Sequence, residues 1–258
     1  KINRDGSGRF FIADRNSGFD PNRPRKERET VGKGLLRRDV MDDETIKRST
    51  YRAKRKCRDL VSNLMADRLL SCTFRDNVTD YDKAVAVWST FVQNYRAMLP
   101  YKFLINGKVR EVTRFDYVAV PELQKRGAWH FHAALNRPHD VRQLRKAWQE
   151  AQRHHLLSSH DGNIDLQYKP TKNASVRIGR YIGKYIIKQF EDGLVFRKRY
   201  FASRGIPGAE TSRFYFLAFH TESDLVEFIE QTCGAKCTGS YQAKAGPHSM
   251  ICGEFQRE

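Results

Sequence analysis

Nowhere in the 258 residues is there an uninterrupted apolar stretch of the length that crosses a bilayer. The opening residues, Lys1-Ile2-Asn3-Arg4-Asp5, also carry no hydrophobic signal region. The expectation is therefore a soluble, cytoplasmic protein that is not exported. Cysteine is scarce and odd in number, with five in all. That argues against a dense disulfide framework and for a reducing compartment. No internal repeat stands out, so a solenoid is not expected. Acidic residues are also short: 30 Asp and Glu face 47 Lys and Arg, leaving a net charge of +17. Such an imbalance is best explained by a polyanionic partner. Nucleic acid is the commonest, because each cation placed at a phosphate releases condensed counterions. A merely soluble basic surface is the plainer alternative.

The length suffices for one large domain, or a medium domain with appendages. Residues 1–42 mix Gly, Pro, Asn and Arg, including Pro21-Asn22-Arg23-Pro24-Arg25-Lys26, and read as an extended basic arm. A helical period runs from about Asp43 to Met65 and is strongly basic. Arg52, Lys54, Arg55 and Lys56 on it are expected to touch DNA phosphates, together with Arg126, Arg180 and Arg204 further on. Leu69 to Phe74 has the character of a buried strand. Thr79 can cap the next helix, with Asp82 at its third position and Val85, Trp88, Phe91, Val92 and Tyr95 toward a core.

Phe115 to Pro121 and Ala128 to Leu135 read as two strands joined by the polar turn Gln124-Lys125-Arg126-Gly127. Asp140 can cap a helix that turns Leu144, Trp148 and Ala151 inward and Arg142, Arg145 and Lys146 outward. A strand over Ile164 to Tyr168 and a helix from about Asn173 to Phe190 follow. Val195 to Phe201 and Arg213 to Phe219 look like strands, Ser203 to Gly208 like a basic loop, and Glu222 to Thr232 like a helix. The expected organisation is an arm over 1–42, a main α+β domain over 43–220, and a C-terminal helix with a cysteine-containing tail over 221–258. Cys233, Cys237, His248 and Cys252 are spaced only loosely like a zinc finger, and ordinary thiols are the preferred reading.

Chemistry concentrates in two places. In a strand, residues two apart share a face, so His130 and His132 converge on one side while Trp129, Phe131 and Ala133 face the other. Two imidazoles can hold a divalent cation, and Glu122 on the partner strand is the nearest carboxylate able to complete the set. On the later helix, Tyr181, Lys184, Tyr185 and Lys188 fall on one arc, and Ile178, Ile182 and Ile186 on the adjoining one. A phenol is largely protonated at neutral pH, so a nucleophilic tyrosine needs a nearby cation or metal. Paired tyrosines alone are usually packing residues. The matched lysine offsets and the His-x-His hairpin turn the reading toward a metal-assisted tyrosine nuclease.

At these residues the chain resembles the HUH endonucleases, specifically the two-tyrosine initiators of rolling-circle replication in small single-stranded DNA phages and plasmids. The resemblance rests on Leu69-Leu70-Ser71-Cys72-Thr73-Phe74, then His130-Phe131-His132, then Tyr181-x-x-Lys184-Tyr185-x-x-Lys188, in that order. It covers about Leu60 to Ile206. It implies a central antiparallel sheet flanked by helices, an RRM-like core with the metal site on the sheet and the nucleophilic helix beside it. It further implies a site that uses Mg²⁺ or Mn²⁺ and cuts single-stranded origin DNA, leaving a 5′-phosphotyrosine and a free 3′-OH. A host polymerase would extend that end behind a host helicase. Two tyrosines allow alternating attacks, and their equivalent lysine offsets leave them unranked. A transposase or relaxase would share the chemistry, but relaxases commonly carry the tyrosine ahead of the histidines. A non-enzymatic nucleic-acid binder would not need the His, Glu, Tyr and Lys set, and a two-histidine, one-carboxylate iron oxygenase would not need the charge.

Overall fold

A computed structural model of the chain describes residues 2–13, 43–157, 162–191, 197–209, 222–245 and 248–257. In chain order the elements are β1 (Ser7–Ala13), α1 (Asp43–Leu64), β2 (Arg68–Thr73), α2 (Tyr81–Ala97), β3 (Tyr101–Ile105), β4 (Lys108–Val112), β5 (Tyr117–Leu123) and β6 (Trp129–Leu135). They continue as α3 (Val141–His154), β7 (Ile164–Tyr168), α4 (Ala174–Glu191), β8 (Phe201–Ala202), α5 (Glu222–Cys233), β9 (Ala235–Ala245) and β10 (His248–Arg257). The chain divides into two compact units, residues 43–208 and residues 1–42 with 209–258.

The larger unit is an α+β fold around a five-stranded sheet of order β7-β2-β6-β5-β8, antiparallel throughout. Alternation along the strands sends two apolar sets to opposite faces. Leu70, Cys72, Ala119, Phe131, Ala133 and Leu135 pack under α2 and α3, where Trp88 lies nearly parallel to Phe131 with ring centroids 4.9 Å apart. Leu69, Val118, Val120 and Ala134 face α1 and α4 and meet Cys57, Val61, Ile178, Ile182 and Ile186. Strand β6, flanked by neighbours and covered on both faces, is the most buried of the sheet.

The helix caps follow from local chemistry. Asp140 caps α3 as expected, accepting from the Arg142 amide at 2.9 Å. The cap of α2 is Asp80 rather than Thr79: the Asp80 carboxylate accepts from the amides of Asp82 and Lys83 at 2.7 and 3.1 Å. Thr79 is one residue too far out, and its carbonyl instead accepts from the Trp129 indole at 3.0 Å.

Two further differences concern strands. The β3–β4 hairpin was not expected, although its signal was there. Asn106 and Gly107, with φ of 48° and 70°, form the two-residue left-handed turn that such hairpins favour. Conversely, the strand expected over Val195 to Phe201 shrinks to Phe201–Ala202 on the edge of β5. In the stretch just before it the carbonyl of Lys198 accepts from the Tyr81 phenol at 2.5 Å, a side-chain contact in place of a ladder. The strand expected over Arg213 to Phe219 lies outside the described residues.

In the smaller unit β1 pairs with β10, and β10 with β9, both antiparallel. Ile229 of α5, Ala235 and Phe255 form its core, with Ile2, Phe10 and Cys233 against them. Residues 7–13, read from sequence as part of an extended arm, are thus a sheet strand.

Candidate active site

The β5–β6 hairpin sets Glu122 directly opposite His130, and Val120 opposite His132. On the other side of β6, Thr73 and Ser71 of β2 stand opposite the same two histidines. Period-two alternation therefore puts Ser71, Thr73, Glu122, His130 and His132 on one sheet face, the face covered by α1 and α4. One ligand atom from each of Glu122, His130 and His132 lies within 4.8 Å of the others, the one such gathering of three ligand-type residues among the described residues.

Each member is held by a neighbour. His132 Nε2 meets Glu122 Oε2 at 2.9 Å and its Nδ1 meets the Ser71 hydroxyl at 3.2 Å. His130 Nδ1 meets the Gln124 carboxamide at 2.8 Å, and its Nε2 is buried without a hydrogen-bond partner. Burial pushes the His130 imidazole down to about 4, so it stays neutral near pH 7. Burial alone would raise Glu122, but hydrogen bonds from His132 and Lys188 outweigh it and hold the carboxyl below its ordinary value.

Helix α4 is anchored by Ile178, Ile182 and Ile186, all buried. Gly179 and Gly183 face α1, where a Cβ would make ordinary van der Waals contacts: 3.5 Å from Arg58 Cα at Gly179 and 3.5 Å from Lys54 Cγ at Gly183. That anchoring turns the Tyr/Lys arc to the edge of the sheet, where its four members are not alike. Lys188 Nζ donates to Glu122 Oε1 at 3.0 Å and to the Leu123 carbonyl at 2.9 Å, binding the helix to the end of β5. Gln189 reinforces the same junction by donating to the Pro121 carbonyl. Lys184 stands over both phenol rings, its Nζ 4.2 Å from the Tyr181 centroid and 4.8 Å from that of Tyr185.

The tyrosines differ most. Tyr185 is 7 % exposed and lies flat on His132, ring centroids 4.5 Å apart and planes 7° from parallel. His130 and His132 are themselves stacked at 4.5 Å, so three rings form one column. Tyr181 is 37 % exposed, stands edge-on to His132 at 5.5 Å, and accepts a 2.9 Å hydrogen bond from the Tyr185 hydroxyl. Burial, the bond to Tyr181 and the charge of Glu122 together raise the Tyr185 phenol well above its ordinary range.

Among the cations expected at phosphates, Arg52, Arg55, Lys56, Arg126, Arg180 and Arg204 are exposed. Lys54 runs its stem across Gly183. Arg126 braces the hairpin turn, donating to the Phe74 carbonyl at 2.9 Å and to Gln124 Oε1 at 3.1 Å. Sequence reasoning did not single out Ser71 or Gln124 as partners of the histidines. An available signal was Ser71 and Thr73, two hydroxyl residues two apart at the end of the β2 run. His139 lies apart, buried on the far face with its Nδ1 on the Tyr95 hydroxyl at 2.8 Å. Cys233, Cys237 and Cys252 form no disulfide among the described residues, and the side chain of His248 lies outside them.

The model of one family, the replication-associated proteins of the ORF2 type, matches residues 67–190, from the start of β2 to the end of α4. That span holds every residue of the Glu122, His130, His132, Tyr181, Lys184, Tyr185 and Lys188 constellation. No curated protein matches the chain. No solved structure matches it.

Proposed function

We propose that the chain is a replication initiator that nicks and rejoins single-stranded origin DNA through a 5′-phosphotyrosine. The observation that carries this reading is the contact between two sets of groups. Three ligand-type side chains converge within 4.8 Å, and the column of rings they begin ends on a tyrosine hydrogen-bonded to a second, exposed one. The similarity to a replication-associated family over residues 67–190 supports the same reading.

Glu122, His130 and His132 fit a divalent cation, Mg²⁺ or Mn²⁺. The buried Nε2 of His130 has no partner, and two imidazoles with one carboxylate leave positions for phosphate oxygens. When bound, such an ion polarises the scissile phosphate and offsets the charge that builds on its oxygens. Lys188 is a positioning residue: it orients the Glu122 carboxylate and ties α4 to β5. Lys184, over both rings, offsets negative charge on whichever phenol reacts.

The structure separates two tyrosines that are equivalent in sequence. Tyr181 is the first nucleophile, because its hydroxyl is the accessible one and accepts a hydrogen bond from Tyr185 as charge grows on it. Its oxygen bonds to phosphorus, the bond from phosphorus to the 3′ oxygen breaks, the phenol proton passes to water, and the departing 3′ oxygen takes a proton. Tyr185 attacks second, once strand displacement by a host polymerase and helicase brings a new junction to the site. The test is incubation with labelled single-stranded origin DNA and Mn²⁺, followed by denaturing electrophoresis. A covalent adduct lost with EDTA is expected. An adduct formed at the normal rate by the Tyr181→Phe/Tyr185→Phe protein would sink the assignment.

A further inference from the structure

A second basic site lies beside α1, away from the constellation above. Arg197, Lys198, Arg199, Tyr200 and Ala202, with Ala53 of α1, line a cavity of about 430 Å³, the three cations coming from consecutive positions. The segment is held in place along its length. Arg197 lies over the Tyr81 ring at 4.7 Å, the Lys198 carbonyl accepts from the Tyr81 phenol, and Lys198 Nζ sits 4.6 Å over Phe201. Arg199 Nη1 donates to the Ser49 hydroxyl of α1 at 3.0 Å. Beyond it, Phe201 and Ala202 are fastened to β5 by the sheet ladder.

Arg197 and Lys198 rest on aromatic rings, which attract a cation without neutralising it, so both can still meet an anion. Burial also lowers Arg199 from its ordinary value, and an anion at the site would counter that. The cavity opens on the sheet side shared with the tyrosines, since Tyr200 and Ala202 pack with the α1 and α4 cluster that includes Tyr185. Arg52 and Lys56, exposed on α1 next to Ala53, extend the positive charge along the helix.

The geometry points to this cleft as a phosphate-binding subsite that holds the backbone of a single-stranded DNA segment, with Arg197 and Lys198 as its two phosphate contacts. The inference rests on the reading that the chain acts on DNA. Positioning the strand by its phosphates asks nothing of base sequence, which suits contacts made by cationic side chains.

The experiment is fluorescence anisotropy with a labelled mixed-sequence single-stranded oligonucleotide across a salt series. Wild type is compared with Arg197→Gln/Lys198→Gln. Removing two phosphate contacts lowers the slope of log affinity against log salt by about 1.4. An affinity loss of about tenfold at moderate salt accompanies it. Lys198→Arg, which keeps the charge, retains the wild-type slope. Should the double variant lose thermal stability, the exposed single change Lys198→Gln carries the test, with a slope loss of about 0.7. A wild-type slope in these variants overturns the subsite. Wild-type affinity that does not fall with salt fails the DNA reading itself. A free phosphoanion is the other source of the same chemistry. If pyrophosphate raises the Tm of wild type but not of the double variant while their DNA slopes agree, the cleft takes free anions and the strand subsite is overturned.

Discussion

Tyr185 lies parallel to His132 at 4.5 Å and gives its hydroxyl proton to Tyr181. On the proposed reading the buried phenol supports the exposed one during the first cleavage. In single-turnover cleavage Tyr181→Phe should therefore form no first adduct above background. Tyr185→Phe should still form it, slowed about fivefold by loss of one hydrogen bond worth about 1 kcal/mol. The reverse ranking, read from adduct yields on a gel, would show that burial does not decide the order.

Lys184 and Lys188 have equal offsets from the tyrosines but different partners. Because Lys188 holds Glu122, Lys188→Ala should raise the Mn²⁺ concentration needed for half-maximal cleavage by about 10- to 100-fold, with recovery in excess metal. Lys184→Ala should slow cleavage at every metal concentration and leave the half-maximal point in place. Metal titrations of both variants separate the two roles; identical curves would mean that Lys188 also acts on the phosphate directly.

The glycines of the larger unit are not interchangeable. A Cβ on Gly183 meets Lys54 at an ordinary 3.5 Å, so Gly183→Ala should be neutral or stabilise α4 by up to about 1 kcal/mol. A Cβ on Gly162 would stand 2.3 Å from the Thr73 carbonyl, a backbone atom that cannot swing aside. Gly162→Ala should cost about 1–3 kcal/mol in urea unfolding, with the shift in midpoint and not in slope.

His139 offers a pH dependence remote from the metal ligands. Burial, with Arg68 and Arg137 adding to it, pushes its folded value down from 6.5 to about 4. Between those limits the unfolded chain binds a proton that the folded chain refuses, so stability rises with pH through the window and falls on acidification. The loss is complete below about pH 4 and amounts to no more than about 3 kcal/mol. His139→Gln, which can still bond to Tyr95, should flatten that part of the profile of unfolding free energy against pH. A profile of unchanged steepness would assign the acid sensitivity to other groups.

Much of the site was legible because its signals are local. Strand alternation placed His130 and His132 on one face, and helical spacing placed the isoleucines against the core and the tyrosines beside them. Other features depend on side chains far apart in sequence. The Lys188 bond to Glu122 spans 66 positions, and the Ser71 contact with His132 spans 61. Arg126, expected at a phosphate and exposed, also braces Phe74 across 52 positions. No period in the chain encodes such pairings.

From the sequence alone came the charge that calls for a polyanion, which is a matter of composition, and the His-x-His hairpin with Glu122 and the Tyr/Lys arc, which depend on spacings of two or about 3.6 residues; the resemblance those motifs carry implied the antiparallel α+β class. Only the tertiary structure decided how the members of that arc differ. Packing α4 against α1 and the sheet buried one tyrosine, exposed the other, and gave one lysine a carboxylate partner. Equal positions on an isolated helix become unequal when one side of the helix meets a protein and the other meets water.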